Sequence, residues 1–277
     1  MAEGGGAGMT IAFESGKKFA QTSSKGNQEK WLEDGRWYKL DQFGYEGLAE
    51  TVVSTLLEQS SIEKDTPFHF VRYRMEWMRV HGLERTGCSS PNFLRPGQAI
   101  ITLHHLHSRQ GGKSLAAQLS CLSSDRKRIE YLAKATAERT GLEDFPAYLT
   151  LLFEIDALFL NDDRHLNNIA VLEQEGKYDY CPIFDHGAAF LSNQRDYPMN
   201  VEPKGLIPLA VARPFHISFN RQRNTAISLF GSQLSLPRFG REDIQKALTT
   251  LLEYYPHRDR GLIFDRVSET ILLRQKM

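Results

Sequence analysis

The stretch NDDRHLNN, residues 161–168, places Asp163 and Asn168 with four residues between them, in the pattern Asp-x-x-x-x-Asn. A second aspartate, Asp185 in PIFDHG, follows the segment EQEGKYDY, which reads as a hairpin turning near Gly176. A hairpin returns the chain to where it started, so Asp185 is expected beside the loop that carries Asp163 and Asn168. Phosphoryl transfer from Mg-ATP needs this combination. One carboxylate orients the attacking hydroxyl or accepts its proton, while an amide oxygen and a second carboxylate hold Mg²⁺ against the phosphates. Hard oxygen ligands suit magnesium, and an amide among them limits the negative charge near a triphosphate. Single Asp and Asn residues mostly serve turns, so the signal is the ordered series of helix, Asp-x4-Asn, hairpin and Asp.

Such chemistry also needs a loop over the phosphates, a lysine on a strand and a helix glutamate to pair with it. The segment SSKGNQEK offers Ser23, Ser24 and Gly26, whose backbone N–H groups could arch over phosphates. Lys39 stands in RWYKL, a strand by composition. Glu46 and Glu50 lie one turn apart on the helix that follows, and either could meet Lys39.

Several elements must hold these residues. In KWLEDGRWYKL, Asp34-Gly35 between aromatic-rich flanks predicts a tight hairpin, because glycine accepts the positive φ of a primed turn. GYEGLAETVVSTLLEQ predicts a helix, with Leu48, Val52, Val53, Leu56 and Leu57 on one face. FHFVRYRMEWM and AIITLHHL read as strands on either side of the turn-rich SSPNFLRPGQ. LAAQLSCLSSDRKRIEYLAKATAERTG reads as one helix ending at Gly141. FPAYLTLLFEIDALFLND reads as a central helix with Pro146 in its first turn and a wide apolar stripe. IAVL and YCPIF are the expected strands of the hairpin, and REDIQKALTTLLEYY and RGLIFDRVSETILLRQK the closing amphipathic helices. The order predicts an α+β, bilobal architecture: a flexible tail over 1–20, a small strand-rich N-lobe over 21–108 and a larger helical C-lobe over 109–277. A crevice between lobes is the natural ligand site.

Bulk properties exclude more than they assign. The 277-residue chain has a formal net charge of zero and a pI near 7.1, so no direct nucleic-acid or membrane-surface signal is present. Cys88, Cys121 and Cys181 are odd in number and lack CxxC spacing, which argues against a disulfide framework and a structural zinc site and suits the cytoplasm. MAEGGGAGMT has neither the basic region nor the apolar run of a signal peptide. The apolar segment YLTLLFEIDALFL contains Glu154 and Asp156 and is too short to span a bilayer.

Together the motifs resemble the HipA-like branch of the protein-kinase fold, in short forms that lack the extra N-terminal subdomain. SSKGNQEKW is similar to that family's phosphate loop and WYKL to its nucleotide-lysine strand. NDDRHLNN matches its Asp-Arg-His-x-x-Asn pattern, and PIFDHG its metal-binding aspartate. The resemblance spans most of residues 20–190. It implies a protein-kinase-like fold and an ATP- and Mg²⁺-dependent serine/threonine protein kinase capable of autophosphorylation. Asp163 becomes the catalytic base, with His165 of the same motif as a second catalytic residue. Asn168 and Asp185 become the metal ligands, Lys39 the contact to the α/β-phosphates, and Glu50, ahead of Glu46, its partner. AIITLHHL would end in the hinge that touches adenine, and Ser23 or the adjacent Ser24 would be the autophosphorylated residue. The segment 185–215 would form the activation and substrate region.

Other readings use the same residues differently. A kinase-fold module could bind nucleotide without turnover, and the acceptor could be a small molecule or a lipid head group. HHLH at 104–107, read as a strand, would put His105 and His107 on one face and, with His165 and His186 beside aspartates, suggest a metal-dependent hydrolase.

Overall fold

In the computed structural model, which describes residues 11–12, 28–108 and 114–276, the first hairpin joins β2 (Lys30–Glu33) to β3 (Arg36–Leu40). Its turn residues Asp34 and Gly35 have φ of 46° and 72°, the positive values a primed turn requires. Before it comes β1 (Ile11–Ala12), and after it α1 (Glu46–Leu57), which buries Leu48, Val52, Val53, Leu56 and Leu57. A short α2 (Ile62–Asp65) follows.

FHFVRYRMEWM is a strand only in its second half. β4 (Arg74–Val80) begins at Arg74, while Phe70 forms a parallel bridge to Ile183 and the Val71 N–H donates to the Ile183 carbonyl at 2.8 Å. Those backbone groups steady the segment that enters Asp185, so they are not available to the sheet. β4 turns through His81 and Gly82, at φ 52° and 77°, into β5 (Leu83–Pro91). The expected turn region therefore starts after Pro91 rather than at the serines. Among the described residues the first sheet runs β1-β4-β5-β3-β2, with β1 parallel to β4 and the other pairs antiparallel.

Residues 92–98 cross to a second sheet of order β6-β7-β8, made of β6 (Ala99–Thr102), β7 (Ala170–Gln174) and β8 (Lys177–Tyr180). The crossing thus precedes AIIT instead of following it. LHHLHS is not strand but helix, α3 (Leu103–Ser108). Leu103, Leu106 and His107 are its buried residues, at helical spacing, and the Thr102 hydroxyl accepts the His105 N–H at 3.2 Å. β8 also differs from expectation: KYDY pairs with β7, and residues 181–184 run on as an extended segment.

The single long helix expected before Gly141 is two. α4 (Leu115–Ser120) and α5 (Asp125–Thr140) are separated where the Ser124 hydroxyl accepts the Lys127 N–H and caps α5, a role serine fills better than a mid-helix one. Gly141, at φ 74°, ends α5 in the left-handed conformation. α6 (Phe145–Phe159) has Pro146 in its first turn and is buried along nearly its whole length, so it is the central element of the helical part. α7 (Pro203–Leu206), α8 (Phe219–Phe230), α9 (Arg241–Leu248) and α10 (His257–Arg274) complete the order. The expected helix over REDIQKALTTLLEYY ends at Leu248, and Leu251–Tyr254 continue as a separate 3₁₀ turn. One apolar core joins α1, α5, α6 and α10 and includes the buried Phe153, Ile155 and Phe159 of α6. No helix among the described residues is long and apolar enough to cross a membrane.

Candidate functional site

A two-residue turn fixes the register of the first hairpin, and that register sets Lys30 directly opposite Lys39. Lys39 Nζ lies 2.5 Å from Glu50 Oε1 and 2.8 Å from Asp185 Oδ1. Glu50 reaches Lys39 because α1 sits close on β5. A Cβ on Gly47 would come within 2.6 Å of the Gly87 backbone, and one on Gly87 within 2.0 Å of the Lys39 carbonyl. Glycine at both positions is what permits this approach. Glu46, the other helix glutamate, is committed elsewhere: its carboxylate accepts the N–H groups of Gln42, Phe43 and Gly44 at 3.2, 2.7 and 3.1 Å. Glu50 has a second task, accepting the His186 N–H at 2.8 Å through its other oxygen.

The loop after α6 is built on the acidic residue that interrupts the apolar helix. Asp156 pairs with Arg164 at 2.9 Å, each side chain 1% exposed. Arg164 Nη1 donates to the carbonyls of Asn168 and Phe184 at 3.0 and 2.6 Å, and its Nη2 meets His186 Nδ1 at 3.2 Å. One buried guanidinium therefore ties α6, the Asp163 loop and the Asp185 segment together. Asn161 adds a second tie, donating to Asp156 Oδ1 at 2.8 Å and to the Asp185 carbonyl at 3.3 Å. Within the loop, Asn168 Nδ2 donates to the Asp163 carbonyl at 2.8 Å, which fixes the amide and leaves its oxygen as acceptor. Asp185 adopts φ 67°, an unusual conformation for a residue with a Cβ, held by partners on both sides.

Lys30, Asp163, Asn168, Asp185 and Arg213 line one cavity of about 270 Å³. Burial alone would push Lys39 down, but Asp185 and Glu50 outweigh it and hold the ammonium well above its usual value. Burial would likewise raise Asp185, yet Lys39 and then Lys30 keep its carboxyl below the usual carboxylate range. Glu50 stays above its usual value because burial exceeds the pull of Lys39. Partial burial also raises Asp163, against His165. His165 Nδ1 accepts the Asn167 N–H at 3.2 Å, and its Nε2 is 3.8 Å from Asp163 Oδ2. Asp162 is pushed up to about 6 by burial and accepts a hydrogen bond from the Tyr197 hydroxyl.

Of the residues singled out by sequence, Lys39, Glu50, Asp163, Asn168 and Asp185 thus converge, and His165 stands beside Asp163. Ser23, Ser24 and Gly26 lie outside the described residues. Three contributors were not read from the sequence. Lys30 had a usable signal, since a two-residue turn at Asp34-Gly35 places it across from Lys39. Arg164 had half of one, an aspartate inside an apolar helix that needs a cation. Arg213 had none: its Nη1 donates to Asp163 Oδ1 at 2.8 Å from fifty positions along the chain, with its carbonyl held by Gln222 of α8 at 2.9 Å.

The histidine constellation does not form. His105 and His107 lie on a helix, and His107 is buried with Nε2 3.2 Å from the Thr136 hydroxyl. His186 is buried against Arg164. Among the described residues no group of three or more His, Cys, Asp or Glu is placed to hold a metal by itself.

No protein-family model matches the sequence, and no curated protein does. Among solved structures the chain is similar to the proinflammatory kinase CtkA of Helicobacter pylori. The TM-score is 0.55 at 12% identity, covering 91% of this chain and 88% of that one. It also matches a chain of the Shewanella oneidensis MR-1 toxin–antitoxin complex of HipA, HipB and operator DNA. There the TM-score is 0.44 at 12% identity, covering 94% of this chain and 65% of that one. The likeness to CtkA shows a kinase fold, the fold to which the sequence motifs pointed through their resemblance to HipA-like kinases.

Proposed function

We propose that this chain, folded as a kinase, is an ATP- and Mg²⁺-dependent phosphotransferase acting on protein serine or threonine, its own included. The observation that carries the reading is Lys39 held jointly by Glu50 and by Asp185, the aspartate that lines one cavity with Asp163 and Asn168. The serine/threonine class is supported by the motif resemblance alone.

Each side chain has a task that its surroundings favour. Lys39, kept cationic, neutralises charge on the nucleotide phosphates, and Glu50 fixes its position. Lys30, its cross-strand neighbour, adds a second positive charge on the same face. Asp163 orients the acceptor hydroxyl and takes its proton, a role that a carboxyl raised by partial burial performs better than a fully solvated one. His165 Nε2 faces Asp163 and stabilises its charged form.

The donor set fits magnesium. Asn168 presents its amide oxygen because its nitrogen is committed to Asp163, and Asp185 is kept ionised by two lysines. Hard oxygens from one amide and one carboxylate, with the rest supplied by phosphate and water, match what Mg²⁺ takes in phosphoryl-transfer sites. Bound there, the ion supplies positive charge to the phosphates being transferred.

Equilibrium binding of ATP, with and without Mg²⁺, tests this directly. The native chain should bind Mg-ATP, Lys39→Ala about 10-fold or more weaker, and EDTA should weaken binding by the native chain. Binding insensitive to both Lys39 and Mg²⁺ contradicts the reading.

A further inference from the structure

A second cavity, of about 470 Å³, adjoins the site on the far side of Asp163. It opens between α4, α5 and the loop bearing His165, and residues 213–216 close it. Arg128, His165, Arg213 and His216 line it beside the apolar Leu119 and Phe215, and no Asp or Glu belongs to its described lining. Arg213 lines both cavities, so the two meet where it contacts Asp163.

The charge on these walls is not cancelled. Arg128 meets Asp125 at 3.2 Å, but Asp125 is shared with Arg221 at 2.6 Å, two guanidiniums to one carboxylate. Arg213 has Asp163 at 2.8 Å, and that aspartate is the group that must face an incoming hydroxyl. The Nε–H groups of Arg128 and Arg213 are both buried without a hydrogen-bond acceptor. In a chain of zero net charge, this is a local excess of cations against the catalytic loop.

We propose that this cavity binds the acidic flank of a peptide whose serine or threonine is presented to Asp163. The proposal deepens the phosphotransferase reading and rests on it for the identity of the acceptor. An acidic residue entering the cavity would draw Arg213 from Asp163 and so couple substrate docking to release of the catalytic carboxylate. A carboxylate suits the walls better than a phosphate. Each guanidinium already shares a carboxylate, which leaves it part of its charge, and the apolar Leu119 and Phe215 favour a peptide over a compact dianion.

The test uses the full chain and two labelled peptides, each with one serine, flanked in one by glutamates and in the other by lysines. Fluorescence anisotropy should show the glutamate peptide binding about 10-fold tighter, with the preference reduced by added salt. Arg128→Gln should weaken the preference and Arg128→Glu should reverse it, thermal unfolding confirming that both variants are folded. Equal binding of the two peptides, or a preference that neither folded variant alters, overturns the proposal. Displacement of the peptide by free O-phosphoserine at lower concentration than by unlabelled peptide assigns the cavity to a small phosphorylated compound and also overturns it. Transfer from γ-labelled ATP to the same peptides separates the two levels of inference. Glutamate preference in binding with no transfer to either peptide removes the phosphotransferase reading while supporting an acidic-peptide site. Transfer to both peptides alike, without preference in binding, does the reverse.

Discussion

On the α1 side of the cleft, Lys39 is 12% exposed between Glu50 at 0% and Asp185 at 23%. On the opposite side Arg213 and Asp163 are each 41% exposed. The Lys39–Asp185 and Arg213–Asp163 contacts have the same length, 2.8 Å, so distance does not distinguish them. Solvent does. Buried charges interact in a poorly screening medium and have no water to turn to, whereas a half-exposed pair is screened and exchanges its partner at small cost. One side of the cleft is therefore assembled when the chain folds, and the other is free to give up its contact, as the proposed function would require when an acceptor arrives.

The largest test of that contrast is Lys39→Ala. It leaves Glu50 uncompensated in the interior, so denaturant unfolding should show a loss of about 3–5 kcal/mol. Phosphate transfer should fall about 10³-fold, as expected when a preorganised charge is removed from the reacting phosphates. A stable Lys39→Ala protein would mean that the α1 side is no more preassembled than the other.

Gly87→Ala reaches the same side without touching a charge. The new Cβ would lie 2.0 Å from the Lys39 carbonyl and 2.6 Å from Met78 Cε, so β3 or β5 must shift. The expected cost is about 1–3 kcal/mol, with transfer lowered because Lys39 moves; urea unfolding and label transfer report the two effects.

Asp41 shows that the α1 side is also sensitive to protons. It accepts the Gly47 N–H at 2.5 Å and the Tyr255 hydroxyl at 2.6 Å, joining the start of α1 to the turn before α10. Burial, with Glu46 nearby, raises its carboxyl from 3.8 to about 6. A raised carboxyl favours the folded state while protonated. Its contribution is complete below about pH 4 and is lost as the pH climbs through about 6. The native chain should therefore lose about 2 kcal/mol relative to Asp41→Asn between pH 4 and pH 7.5, measured as the difference between their unfolding free energies.

Arg213→Ala should have the smallest effect. Stability should change by less than about 1 kcal/mol, and the remaining effect should be on KM for an acceptor peptide rather than on kcat. A loss of stability like that of Lys39→Ala would erase the contrast.

How much of this was legible in the sequence follows from what fixes each residue. Asp163 and Asn168 are joined by a short loop, and Asp185 by a hairpin, so local rules suffice to bring them near one another. The two helix glutamates were indistinguishable by spacing alone. The N–H groups of Gln42, Phe43 and Gly44 claim Glu46, and backbone contacts of that kind leave no trace in a helical pattern. LHHLHS reads as a continuation of the strand AIIT only because no breaker separates them; Leu103 and Leu106, three apart, fit a helix and not the alternation of a strand. His81-Gly82 carries a turn signal of its own, with positive φ at both residues, but a weaker one than the Pro-, Asn- and Gly-containing SSPNFLRPGQ. Arg213 was out of reach, since it depends on α8 and on a tertiary hydrogen bond from Gln222.

The proposed movement of a phosphoryl group in this cleft is measured most directly as transfer from γ-labelled ATP in the presence of Mg²⁺ by the native chain and by Asp163→Asn. Label is expected on the native protein or on an added serine peptide, and about 10³-fold less with the variant, whose fold and Mg-ATP affinity should match the native. Equal labelling by the two proteins, or no labelling of any serine or threonine by a native chain that binds Mg-ATP, would contradict it.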